Sequence, residues 1–61
     1  MKVVEVVRNY NLWNFDKHYK NQYGESRNLI PLNKLTGMEV KSVYVNFPSN
    51  IVEITIIEKA E

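Results

Sequence analysis

The residues able to do chemistry are few. The chain has one histidine, His18, and one aspartate, Asp16, two positions apart. On a helix that spacing turns the two side chains away from each other, and on a strand it sets them on one face. General acid–base catalysis needs a positioned pair with matched pKa values and a reacting group within reach. No second histidine, serine–base arrangement or carboxylate pair accompanies them, so Asp16 reads as a capping carboxylate and His18 as a surface imidazole. The absence of cysteine removes thiol nucleophiles, disulfides and thiolate metal sites together. Structural zinc needs four clustered ligands, which the spacing does not provide. Gly24 and Gly37 are the only glycines, too few for a phosphate-cradling loop. The expectation is no enzyme, no metal and no cofactor.

Binding chemistry is better represented. Tyr10, Trp13, Phe15, Tyr19 and Tyr23 interleave with Arg8, Lys17, His18, Lys20 and Arg27. Aromatic faces stack unpaired bases while cations meet phosphates, and the same residue types concentrate binding energy at protein interfaces. In a small domain they are also needed for the core. Trp13, Lys17, Tyr19, Lys20, Tyr23 and Arg27 are therefore the candidate partner-binding residues. Residues 8–34 carry five cations against two carboxylates, and residues 35–61 carry two cations against four. The overall net charge of +1 is too small to favour nucleic acid over protein.

The elements that must position these residues follow from composition and period. Eight valines, five isoleucines and seven aromatics stand against one alanine and four leucines, a lean toward strands. Residues Glu39–Phe47 and Ile51–Lys59 are β-branched runs separated by Pro48-Ser49-Asn50, which predicts a hairpin. Pairing Phe47 with Val52 places Val45 opposite Ile54, Val43 opposite Ile56 and Lys41 opposite Glu58, so the apolar pairs share one face. Lys2–Leu12, with valine pairs flanking Glu5, reads as a further strand. In residues 14–24, Phe15, Tyr19 and Tyr23 fall at helical spacing between Asn14 and Gly24. Pro31 suits the first position of a short helix ending at Gly37.

Arg27-Asn28-Leu29-Ile30-Pro31, a short helical piece, Gly37 and two valine-rich strands together loosely resemble the swapped-hairpin transcription factors of the transition-state-regulator type. That resemblance covers about half the chain and implies a DNA-binding dimer. The stretch from Pro31 to Val40 is shorter than that family's pattern, and residues 8–26 match nothing in it.

A chain of 61 residues allows one small domain with a modest core. The expected fold is α+β: an antiparallel sheet of the N-terminal strand and the C-terminal hairpin, with one short helix or irregular arm. A small all-β barrel with residues 14–24 as strand is the alternative. The expected function is a non-catalytic protein-binding module, acting as regulator, inhibitor or subunit. The alternative is a nucleic-acid binder using the basic aromatic segment 8–34 as a dimer. Another protein is the expected partner and nucleic acid the alternative; a homodimer, formed through the edge of the last strand or by strand exchange, is a further option. No apolar run is long enough to span a membrane and no leader-like stretch follows Met1, so the cytoplasm is the expected compartment.

Overall fold

A computed structural model describes residues 1–59. Helix α1 (Val3–Asn9) is followed by strand β1 (Asp16–Asn21), a one-turn helix α2 (Leu32–Leu35), and strands β2 (Val40–Asn46) and β3 (Ile51–Ile56). The sheet order is β1-β3-β2, with β1 parallel and β2 antiparallel to the central β3. The fold is a small α+β structure around a three-stranded mixed sheet, and no closed barrel forms among the described residues. None of its helices is long and apolar enough to cross a membrane.

Two elements exchange the identities expected from sequence. Lys2–Leu12 contains a helix, not a strand. Val3, Val6 and Val7 lie at i, i+3 and i+4 and all are buried, so one helical face satisfies what the valine pairs need. The Glu5 carboxylate accepts the Lys2 backbone N–H at 2.9 Å, and Glu5 and Arg8 sit at the ends that the helix dipole favours. Asn11 takes a left-handed φ of 53°, Leu12 N–H donates to the Val7 carbonyl and Asn11 N–H to that of Arg8. This is a Schellman ending with Leu12 packed under it. Burial and capping outweigh valine's small intrinsic penalty in a helix.

Residues 14–24 contain a strand, not a helix. From Asp16 to Asn21 the partners run in unbroken parallel register from Ile51 to Ile56. Tyr19 and Asn21 alternate inward, which suits period two better than the helical spacing of the aromatics. Gly24 has φ 83°, a conformation that supplies the turn after the strand. The short helix near Pro31 is present, with Pro31 as its N-cap and Gly37 just beyond it.

The hairpin forms with its expected inner face but a register two residues away. Val45 opposes Val52, Val43 opposes Ile54 and Val40 opposes Ile56. A shift of two preserves which side chains point inward. The turn is longer than the Pro48–Asn50 cluster, running from Phe47 to Asn50, and Asn50 has φ 54°. A bulge at Lys41 separates the Val40 and Ser42 pairs, so Lys41 does not reach Glu58. Val52, Ile54 and Ile56 join Val3, Val6, Val7, Leu12, Tyr19 and Leu35 in one buried cluster.

Ile54 has no solvent exposure, whereas neighbouring Thr55 points to the open side and is only half-buried. Ile54→Ala should cost about 2–5 kcal/mol in thermal or denaturant unfolding, and Thr55→Ala should cost much less. Equal losses from the two changes would mean that the inner face is wrongly assigned.

Candidate functional site

The six residues expected to bind a partner do not form one surface. Tyr19 is buried in the core at 8% exposure, and burial raises its phenol pKa above the ordinary value. The Lys17 ammonium donates to the carbonyls of Leu12, Trp13 and Phe15 at 3.0–3.4 Å, tying down the loop before β1. Lys20 lies 4.0 Å from Glu53 across the sheet. Trp13 and Tyr23 are exposed, at 61% and 72%, in the loop before β1 and the turn after it. Tyr19 and Tyr23 share no helical platform because Tyr19 lies within β1 and Tyr23 in the turn after it.

Arg27 belongs to a polar node at the end of β1. Asn21, buried to 2% exposure, donates its two amide hydrogens to Glu25 at 2.8 Å and Glu58 at 2.7 Å. Its side-chain oxygen accepts from the N–H groups of Tyr23 and Glu25. The Arg27 Nε meets Glu58 at 2.8 Å, and a second guanidinium nitrogen meets Glu25 at 3.3 Å. Gln22 donates to the Glu58 carbonyl and accepts the Glu58 N–H, so a side chain continues the β1–β3 pairing beyond its last backbone pair. The node closes the sheet's end, and no buried side-chain polar atom lacks a partner among the described residues.

Asp16 and His18 do meet, as a strand spacing allows, with His18 Nε2 at 3.1 Å from Asp16 Oδ2. Both lie on the sheet face away from α1 and remain largely exposed. An exposed contact of this kind contributes little and encloses no reacting group. Among the described residues no cluster of three or more His, Cys, Asp or Glu could hold a metal.

The two outer edges of the sheet are treated differently. At β1, Asn28 Oδ1 accepts the Tyr19 N–H at 2.7 Å, Arg27 N–H donates to the Tyr19 carbonyl, and Asn21 N–H donates to that of Glu25. Segment 25–28 therefore covers β1 from Tyr19 onward. At β2, the N-terminus covers only the start. Val3 N–H donates to the Met38 carbonyl and Val40 N–H to that of Met1.

Beyond that point the backbone alternation decides what is left over. Ile57 N–H donates to the Glu39 carbonyl, so Glu39 faces β3 and Val40 faces out. Antiparallel pairs alternate between hydrogen-bonded and non-hydrogen-bonded kinds, and one bulge residue shifts the phase by one. Ser42, Tyr44 and Asn46 then bond to β3, while the N–H and C=O groups of Val43 and Val45 point outward. Beside them, between β2 and α1, runs a groove of about 460 Å³ lined by Met1, Val6, Tyr10, Val40, Val43 and Val45, with Lys41 and Ser42 at its border.

This edge was hidden from sequence by the expectation that the final strand would be outermost. β3 (Ile51–Ile56) is central and paired on both sides, so it has no free edge for docking. A usable signal was present nonetheless: Ser42–Asn46 contains neither charge nor proline, the devices that usually blunt an exposed edge. In comparisons with known proteins, no family model, curated protein or solved structure matches the chain.

The polar node has a pH signature. Hydrogen bonds from Asn21, and then from Arg27, lower the Glu58 pKa, with desolvation opposing them. A lowered folded-state pKa contributes stability above the ordinary glutamate range of about 4–5 and loses it as pH falls through the folded value. Glu58→Gln should therefore melt below the parent protein near neutrality. The two melting curves should converge at the acid end of a pH series.

Proposed function

We propose that this chain is a non-catalytic protein-binding module that takes an extended segment of its partner onto the outer edge of β2. The observation carrying this reading is the pairing of unused backbone groups at Val43 and Val45 with an apolar groove alongside. Strand addition draws affinity from main-chain hydrogen bonds and selectivity from alternate side chains seated in neighbouring pockets. An added strand would send every second side chain toward Val6, Tyr10, Val43 and Val45. Such a module suits a small regulator, inhibitor or subunit, and a cysteine-free composition suits the cytoplasm.

The nucleic-acid alternative has weaker support. Lys17 is held by three carbonyls, Arg27 by two carboxylates, and Lys20 faces Glu53. The open sheet face mixes Asp16 and Glu53 with His18 and Lys20, whereas a phosphate backbone calls for one sign of charge.

Selection from displayed random peptides about a dozen residues long tests the reading, since strand-addition ligands are short and extended. Selected sequences should carry apolar residues at alternate positions. Val45→Pro should abolish their binding while keeping a cooperative melt, because proline removes an outward N–H and spares the β2–β3 ladder. Peptides that bind Val45→Pro as well as the parent chain would overturn the proposal.

A further inference from the structure

Resting on the reading of β2 as a docking edge, we infer that its occupant is a second copy of this chain, joined β2 to β2 about a two-fold axis that passes midway between the two Tyr44 residues. A two-fold axis perpendicular to the sheet makes an antiparallel pair and keeps both copies of α1 on one side. It also requires paired residues to point to the same face, which leaves only registers centred on a residue. Centring on Val43 sets Val40 against Asn46 of the second copy, where Met1 already occupies the edge. Centring on Val45 sets Val43 against Phe47, a turn residue. Centring on Tyr44 pairs Val43 with Val45 twice, so every outward N–H and C=O of the two residues finds a partner.

The side chains agree with this register. On the inner face, Val43 and Val45 of one copy meet Val45 and Val43 of the other beside the groove. On the open face, the Tyr44 ring, 63% exposed, meets its own copy, and Ser42 meets Asn46. No charged residue lies within the ladder. The ladder stops at Ser42, just before the bulge at Lys41 and the stretch that Met1 covers. The product is a continuous six-stranded sheet in the order β1-β3-β2-β2-β3-β1.

Single-cysteine variants test this on the full chain, which has no cysteine of its own. In the inferred register Tyr44 faces Tyr44 as a non-hydrogen-bonded pair, with Cα atoms about 4.5 Å apart, inside the range of about 4.4–6.8 Å that a disulfide needs. Asn46 and its copy lie four residues apart along the strand, about 13 Å. Tyr44→Cys should therefore cross-link under mild oxidation at least about tenfold faster than Asn46→Cys, a separation in keeping with the distance limits on disulfides. Adding Val45→Pro should abolish that advantage. Sedimentation of the unaltered chain should show its mass rising from 7.2 kDa toward twice that as concentration approaches about 1 mM, since an interface of this small class is weak.

A monomer throughout, with Tyr44→Cys and Asn46→Cys reacting alike, would overturn the inference. If displayed peptides still bound the edge of such a monomer, docking at β2 would stand and only the second copy would fall.

Discussion

Val52, Ile54 and Ile56 point from one strand into a single apolar layer with no solvent contact. In a chain of 61 residues that burial requires both flanks of β3 to be paired and its inner face to be covered. The antiparallel flank comes from the hairpin at little cost in loop closure. The parallel flank cannot come from a tight turn, so the chain leaves β1, passes through α2 and β2, and returns beside β1 as β3. Helix α1 covers the face with Val3, Val6 and Val7. The polar node around Asn21 closes the end where β1 and β3 stop pairing, satisfying the one buried polar side chain among the described residues.

The hairpin was legible because its information is local. Val43, Val45, Val52, Ile54 and Ile56 alternate with polar residues, and Pro48 and Asn50 mark the turn. Their inner face survives a two-residue error in register because the side-chain period is two. The short helix after Pro31 was legible for the same reason. Helix α1 and strand β1 were misread in opposite directions. Val3, Val6 and Val7 carry helical spacing, and Asn11-Leu12 carries a helix stop, but valine content pointed to strand. Phe15, Tyr19 and Tyr23 carry helical spacing by coincidence. Only Tyr19 of the three lies within β1, and only its parallel partner Ile54, distant in sequence, reveals why it is buried.

That exchange also moved the candidate site. With an N-terminal strand in the sheet, the last strand would be outermost and the basic aromatic segment would be a helix displayed to solvent. With β1 beside β3, Tyr19 becomes core, Lys17 and Arg27 secure loops, and the outer positions pass to β1 and β2. Segment 25–28 blunts the first of these. The second is blunted where Met1 and Lys2 reach Glu39 and Val40 and by the bulge at Lys41, which leaves Ser42–Asn46 open. An uncharged stretch, Ser42–Asn46, beside a groove lined mostly by apolar side chains invites another strand, and its pairing groups follow from the same alternation that joins β2 to β3.

Residue-resolved hydrogen exchange on dilute protein reports which amides of β2 face outward. Protection should alternate along β2: slow exchange at Ser42 and Tyr44, whose N–H groups bond to β3, and fast exchange at Val43 and Val45. Uniform protection from Ser42 to Val45, or slow exchange at Val43 and Val45 with fast exchange at Tyr44, would contradict it.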